Sequence, residues 1–315
     1  MPLLKRVRLL AAKIETTPGT AETLANADAS FNVMNPMIQA EIPVEKREAQ
    51  GSFDRLTAVA GPRSGKCTFS VDAYWDGAAL PAWATTFLPA CGLVESSQVF
   101  TPRSEAPGSN VKTLTMATYQ NGELKKLKGA AGTVKIVLTH GKFARFEFEF
   151  TGLWEPVTDA SILTPTNPTD KALRFASGTA TRNSVAQKIE SATVDIGNQV
   201  ILREDPSTAS GYCNAMITDR EPVITMNPEA DLVANDDPYG HWIADTESAV
   251  SLVLDGPAGG TSNGNITFAA PKSQVMSVAE AERNGLQTEN LNLICNKDGA
   301  NADQDISITF TDAVA

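Results

Sequence analysis

The sequence predicts a mainly β protein. Its 18 prolines and 22 glycines are spread along all 315 residues, which is typical of many short elements separated by turns. Several segments alternate apolar and polar residues, and the clearest is 143–150, where aromatic and charged side chains alternate. With 42% hydrophobic residues, a chain of this length can build a sizeable core in one domain or two.

The first half predicts an extended arm followed by strands and one helix. Residues 1–50 show no sustained period, which is typical of an arm that packs on another element. Residues 98–111 contain a loop rich in Pro, Ser and Gly, and we expect this loop and the arm to make contacts between subunits. The expected elements are a strand from Lys66 to Trp75, an amphipathic helix within Leu80–Leu93 that ends at Gly92, a strand near Thr113–Tyr119, a turn at Asn121-Gly122, and a long hairpin that pairs 133–138 with 143–150 through His140-Gly141.

The second half repeats this theme after a segment rich in Pro and Thr, Thr158 to Asp170. We place a linker at 161–171, between a first β domain at 51–160 and a second at 172–315. Each half contains a hairpin, a helix or helical loop and a closing strand, but no repeat is visible at the level of residues. The expected strands are Ile189 to Gly197, continued by Asn198 to Leu202, one within Ala215–Met226, and Ser251–Leu254, Asn265–Ala269, Val275–Val278, Leu291–Cys295 and Ile306–Phe310, with a loop and possible helical turns at Pro228–Ile243.

The charge and the cysteines exclude several classes of function. The net charge of −11 argues against a protein that grips the phosphate backbone of nucleic acid, because such proteins need Lys and Arg. The four cysteines are far apart and have no zinc-ligand spacing. Basic residues interrupt the apolar N-terminal run, so an export signal is not expected, and no stretch is long enough to cross a membrane.

Three motifs have a chemical interpretation that the sequence does not favour. Residues 60–67 resemble a phosphate loop, but they lack its first glycine and precede a strand instead of a helix. His241 could act with Asp236 or Asp237 in a hydrolase, yet no nucleophile motif lies nearby. The carboxylates at 236–237 and 298–305 lack the spacing of a calcium loop. We therefore expect no catalytic residue, no metal site and no cofactor.

The four tryptophans allow a second function. A β-sandwich that binds carbohydrate or a surface could use these tryptophans and one tyrosine as stacking platforms: Tyr74, Trp75, Trp83, Trp154 and Trp242. Scattered tryptophans are more often core anchors, and Trp75 and Trp83 flank the predicted helix as core residues would. A carbohydrate-binding or surface-adhesion module is therefore one of the functions that the sequence allows.

Short motifs along most of the chain resemble the major tail proteins of long-tailed, siphovirus-like bacteriophages. Each motif is short and none is a chemical signature. The resemblance rests on residues 13–20 (KIETTPGT), 88–92 (LPACG), 119–122 (YQNG), 127–129 (LKG), 148–152 (FEFTG), 195–198 (DIGN), 220–222 (REP), 227–230 (NPEA) and 284–286 (NGL).

The resemblance implies a structural virion protein that self-assembles into the tail tube, the conduit for DNA ejection. The implied fold is a β-sandwich with a short helix, whose long hairpins join a β-barrel shared between subunits. Relatives form hexameric rings from one tube domain per chain, so a chain with two domains could form a pseudo-hexameric trimer. The implied partners are other copies, the tape-measure, terminator and distal tail proteins, and genomic DNA that passes without specific binding. Assembly would take place in the host cytoplasm, and no membrane is implied.

Four carboxylates are candidates for lining the lumen of such a tube: Glu147, Glu149, Glu190 and Asp195. The first two alternate with Phe146, Phe148 and Phe150, which we expect to hold the core. Because glutamate is disfavoured in strands, an acidic lumen that repels DNA would explain its placement. Carboxylates that only keep an outer surface soluble are an equally open interpretation.

Overall fold

The structure, a computed structural model, describes residues 4, 6–77, 79–104, 112–176, 178–254, 264–299 and 302–311. It confirms the mainly β class. Helix α1 covers Ala82–Ala90, helix α2 covers Pro238–Ile243, and a 3-10 turn covers Asn26–Ala29. The strands are β1 Arg8–Ile14, β2 Val33–Glu41, β3 Val44–Glu48, β4 Arg55–Ala60, β5 Ser64–Asp72, β6 Leu93–Ser96, β7 Val99–Pro102, β8 Leu114–Gln120, β9 Glu123–Thr139, β10 Arg145–Trp154, β11 Thr158–Asp159, β12 Ala180–Arg182, β13 Val185–Ala186, β14 Ile189–Asp195, β15 Asn198–Glu204, β16 Tyr212–Arg220, β17 Val223–Pro228, β18 Glu247–Leu254, β19 Asn265–Arg283, β20 Leu286–Cys295 and β21 Ser307–Thr311.

Eight antiparallel strands form the centre of the main sheet, in the order β2-β5-β10-β9-β14-β17-β20-β19. The first four strands come from the first half of the chain and the last four from the second half. The pairing of β9 with β14 joins the two sets, so the hydrogen-bonded sheet is continuous across the position predicted as a linker. The division of the chain into separate domains stays a prediction.

The two sets of strands are built in the same way. In each, a hairpin is inserted between the first two sheet strands, β3–β4 in the first set and β15–β16 in the second. A helix follows the second sheet strand in each set: α1 follows β5, and α2 follows β17. Each set also has one long strand, β9 or β19. The first part of this strand pairs with an outer strand, β8 or β18, and its last part forms a hairpin with β10 or β20. We call these two sets the first unit and the second unit. The β6–β7 hairpin has no counterpart in the described part of the second unit.

The strand register is also the same in the two units. In the first unit, residues in one row across the sheet are Ile38, Cys67, Phe150 and Gly132. The matching row of the second unit is Ala192, Met226, Leu291 and Val278. In both units the hairpin pairing ends five residues beyond this row. The last pair is Val137 with Arg145 in the first unit and Arg283 with Leu286 in the second. The duplication that the sequence left open is therefore present in the topology.

Aromatic residues fill the core of the first unit. The prediction that Phe146, Phe148 and Phe150 hold the core is confirmed, because all three are buried. Phe87 of α1 lies 5.3 Å from Phe148 between ring centroids, and Phe69 of β5 lies 5.2 Å from Phe148. One hydrophobic cluster contains these residues together with core residues of the second unit. Burial of such large rings stabilises each unit, because every aromatic side chain removes 150–250 Å² or so from water.

The predicted helix is confirmed, whereas several strand boundaries were wrong. Asn265–Ala269 and Val275–Val278 belong to one strand, β19, which continues to Arg283. The segment from Ala215 to Met226 contains two strands, β16 and β17, separated at Glu221-Pro222. Proline lacks the amide hydrogen that a continuing strand would use, which explains the break.

Strand β15 does not continue β14, as we expected from the sequence. Gly197 adopts a φ of +65°, a conformation that favours glycine, and it turns the chain out of the main sheet. The segment Asn198–Glu204 then pairs only with β16 in a separate two-stranded sheet. Residues 8–41 of the predicted arm supply β1 and β2, which pair with β8 and β5. Of the loop expected to make subunit contacts, residues 105–111 lie outside the described residues.

Candidate functional site

One face of the central sheet is polar and uncovered in the single chain. Glu147 and Glu149 point away from the buried phenylalanines of β10 and are exposed, as predicted. Lys66 of β5 lies 3.2 Å from Glu149, and Arg145 lies 3.3 Å from Asp72. Glu147 and Glu149 border a shallow groove of about 440 Å³. The face therefore carries acidic and basic groups together, and it is less acidic than the carboxylates alone would predict.

Asp195 shares this face, and Glu190 lies at its margin. Asp195 of β14 is directly opposite Lys135 of β9, which is itself opposite Glu147 on its other side. The Asp195 carboxylate also accepts a hydrogen bond from the backbone N–H of Gly197, at 2.9 Å. Glu190 is exposed at a β-bulge between Ile189 and Ala192. Sequence reasoning missed the lysines, although the alternation that placed the glutamates also places Lys135 on the same face.

The central sheet has two free edges. In the described part of the chain, β2 pairs with β5 only, and no strand pairs with residues 275–283 of β19 on the side away from β20. A row of unpaired backbone N–H and C=O groups is a template for pairing with another strand. The free strand at one end, β2, corresponds to β14, and the free strand at the other end, β19, corresponds to β9. Within the central sheet of the described chain, the two units join at the pairing of β9 with β14. Outside these eight strands, β21 of the second half also pairs with β7 of the first.

A buried carboxylate fixes the turn that follows β1. Glu15 is almost completely buried, and its carboxylate accepts four hydrogen bonds, from the backbone N–H groups of Gly19 and Gly129 and from the hydroxyls of Thr113 and Thr115. The distances are 2.6 to 2.8 Å. Glu15 and Gly19 belong to the 13–20 motif, so this motif joins β1 to β8 and β9. Sequence reasoning gave Glu15 no role, because three of its four partners lie about a hundred residues away.

The residues proposed for a hydrolase are held by an arginine. Arg182 is fully buried, forms an ion pair with Asp236, and lies 2.9 Å from Nδ1 of His241. Asp237 accepts a hydrogen bond from the backbone N–H of Gly240 and caps α2. A guanidinium cannot be deprotonated in a protein, so Arg182 can orient the two groups but cannot act as a nucleophile. The cluster has the features of a structural ion-pair network that attaches α2 to β12.

The tryptophans do not form one exposed platform. Trp75 and Trp83 are buried and pack on Phe310, with ring centroids 5.3 and 6.0 Å apart. Of the four tryptophans, only Trp242 of α2 is exposed. The prediction that Trp75 and Trp83 are core anchors is confirmed. A carbohydrate-stacking surface would need several exposed rings side by side, which these positions do not supply.

The described residues also lack the features of a metal site and of a membrane-spanning helix. No group of three or more potential metal-ligating side chains occurs in the part of the chain that the structure describes. Within that part, no helix has the length and apolar character needed to span a membrane. The phosphate-loop-like residues 60–67 lead into β5, a strand, as the sequence indicated.

Comparison with known proteins gives one match that covers nearly the whole chain. A family model described as phage tail tube protein matches residues 6–311. A search of curated proteins finds no significant match.

Proposed function

The chain belongs to the phage tail tube protein family, and we propose that its copies assemble into closed rings that stack to form the tail tube. Members of this family are structural components of the virion, and the family is not a known enzyme family. The family implies association with other copies and with other tail proteins. The ring, its symmetry and the passage of DNA are the parts that we propose.

The junction between β9 and β14 is the single observation that carries the proposal. Inside one chain, β9, the last strand of the first unit in the sheet order, pairs with β14, the first strand of the second unit. The last strand of the second unit, β19, and the first strand of the first unit, β2, are both left free. Repeating the internal junction between chains would pair β19 with β2 of the next copy. Such a ring removes both free edges of the central sheet, which is how closed barrels avoid uncontrolled strand addition.

The size of the resulting barrel favours three copies. At a strand spacing of about 4.8 Å and a tilt of about 40°, two copies of eight strands give a backbone diameter of roughly 32 Å and three copies roughly 48 Å. Inward side chains would reduce these diameters by about 10 Å. A DNA duplex is roughly 20 Å across without its hydration shell, so with that shell it passes freely only through the larger barrel. Three copies with two units each also match the six domains of a hexameric ring.

The polar face of the central sheet would line the lumen, because the opposite face is buried against the core. This face would present Glu147, Glu149 and Asp195 next to Lys66 and Lys135, together with hydroxyl groups such as those of Thr193 and Thr225. Binding to phosphates requires unbalanced positive charge, which releases counterions from DNA. A lumen whose lysines are already balanced by carboxylates would let DNA slide without specific binding.

We propose further that the ends of the tube contact the tape-measure, terminator and distal tail proteins, and that assembly takes place in the host cytoplasm. The proposal includes no catalytic step and no cofactor. The free edges and the uncovered polar face support a role that depends on association instead of chemistry.

Electron microscopy of the purified chain tests the proposal. We expect rings or hollow tubes, with three copies per ring, above a threshold concentration. A chain that stays monomeric at high concentration would contradict the proposal.

A matched pair of variants tests the edges. In the internal junction Lys135 is opposite Asp195, and the corresponding positions between chains are Ala281 and Glu41. Ala281→Lys would place a cation opposite Glu41 and Ala281→Glu would place an anion there. Like and opposite cross-strand charges differ by roughly 1 kcal/mol, so the threshold concentration of Ala281→Glu should be about fivefold higher than that of Ala281→Lys. Equal thresholds would contradict the pairing of β19 with β2.

A further inference from the structure

The inserted hairpins of the two units differ in what they contact. The β15–β16 hairpin of the second unit packs on the first unit, and Ala215 of β16 is buried. In contrast, every residue of β3 and β4 in the first unit is exposed. The two hairpins occupy equivalent places in the chain, since each connects the first two sheet strands of its unit. Because the equivalent β15–β16 hairpin is packed, the exposed β3–β4 hairpin lacks a partner in the described part of the single chain.

The contacts of β15–β16 are specific. The Asn198 side chain donates hydrogen bonds to the carbonyl oxygens of Cys91 and Gly132, at 2.7 and 3.0 Å. A β-carbon added at Gly129 would lie 3.2 Å from the Cα atom of Asn214, so the hairpin lies directly on the bulge of β9. A β-carbon at Gly92, just after α1, would lie 3.1 Å from the Ile217 side chain. The hairpin of the second unit thus covers the bulge of the long strand and the end of the helix of the first unit.

The corresponding positions of the second unit include two uncovered apolar residues. Met276, at the bulge of β19, is 50% exposed, and Ile243, at the end of α2, is 84% exposed. The matching face of the β3–β4 hairpin carries two apolar residues, Val44 and Phe53, beside charged ones such as Arg55, which takes the place of the buried Ala215. Counting along the strands from the shared register, Val44 takes the place of Asn198 and Phe53 takes the place of Cys213. Val44 is more than half exposed and Phe53 is fully exposed.

We propose that the β3–β4 hairpin of one copy packs on the second unit of the neighbouring copy, against Met276 and Ile243. This inference rests on the proposed ring, because the hairpin reaches that surface only if β2 lies beside β19 of the neighbour. Continuity supports it, since β3 follows β2 directly and is carried to the same joint. The partner is a second copy of this chain, and the hairpin is a clasp that reinforces the joint between β19 and β2.

A double substitution in the hairpin tests the clasp. Val44→Asp with Phe53→Asp removes the two apolar residues that face the neighbour, and both are exposed in the single chain, so the monomer should keep its melting temperature. We expect the threshold concentration for ring formation to rise about tenfold or more, because apolar anchors at the centre of an interface carry most of its binding energy. The matched control is Leu56→Asp with Val59→Asp, which changes exposed apolar residues on the opposite face of the same hairpin.

The outcomes separate the clasp from the ring. If the wild-type chain forms no rings, the proposed function fails. If the wild type forms rings and the Val44/Phe53 variant does so at the same concentration, the clasp is wrong and the ring stands. If both double variants lose assembly equally, the face assigned to the neighbour is wrong. Hydrogen exchange gives an independent readout: residues 44–60 should become at least about tenfold more protected on assembly of the wild type, and unchanged exchange would overturn the clasp.

Discussion

Replacing Glu15 by Gln should destabilise the folded chain strongly, although the two side chains have the same shape. Each carboxylate oxygen accepts one backbone N–H and one threonine hydroxyl, so all four partners are donors. A glutamine amide offers one oxygen and one NH₂ group. The threonine hydroxyl next to the NH₂ group can rotate and accept, but the backbone N–H of Gly19 or Gly129 cannot. One buried donor would then face another donor.

The magnitude follows from these contacts. Two hydrogen bonds to a charged acceptor are lost, at about 1.5–3 kcal/mol each, and the hydroxyl that rotates recovers about 1 kcal/mol. The expected loss in the free energy of unfolding is therefore roughly 2–5 kcal/mol, or about 3–8 °C in melting temperature for a chain of this size. Urea and thermal unfolding of the monomer, followed by circular dichroism, measure this loss.

An exposed carboxylate provides the control for Glu15→Gln. Glu48 lies 3.6 Å from Arg55 on the surface, and Glu48→Gln should change the free energy of unfolding by less than about 0.5 kcal/mol. A loss below about 1 kcal/mol for Glu15→Gln would refute the view that its carboxylate holds the 13–20 turn against β8 and β9.

Two further predictions concern the core. Phe148→Ala removes a ring that packs on Phe69 and Phe87 and should cost about 3–5 kcal/mol in unfolding free energy. The control, Phe143→Ala, changes a half-exposed ring and should cost less than about 1 kcal/mol. Equal losses would contradict the face assignment of β10. Burial raises the pKa of Cys67, Cys91 and Cys295, to about 12 for Cys295, so at pH 7 to 8 a thiol reagent should label only the half-buried Cys213 in the native chain and all four cysteines after unfolding; rapid native labelling that persists in Cys213→Ser would contradict this.

The mainly β class, the α1 helix and the faces of the β10 strand could be predicted because local patterns determine them. The alternation in 143–150 is sufficient to place Phe148 in the core and Glu147 on the surface, whatever the partner strands are. The turn at Asn121-Gly122 was predictable for the same reason, since both residues adopt the positive φ that this dipeptide tolerates.

Long-range pairing explains what the sequence did not reveal. The charge balance of the polar face depends on Lys66, which lies beside β10 only because of the strand order. Lys135 could have been placed there from the predicted hairpin. The duplication was suspected from the order of elements, but its shared register involves residues that are not alike, such as Phe150 and Leu291. Glu15 was missed because its role depends on threonines and glycines brought from distant strands.

Disulfide cross-linking across the proposed joint tests the central claim most directly. Glu41→Cys and Ala281→Cys would lie directly opposite each other between neighbouring copies, at a Cβ separation of about 5 Å, if β19 pairs with β2 as β9 pairs with β14. After mild oxidation of assembled rings, the double variant should give covalent dimers and trimers and no larger species on a non-reducing gel, while each single variant should stay monomeric. A ladder that extends to six copies, or the absence of cross-links in rings that do form, would contradict a ring of three chains closed through these two edges.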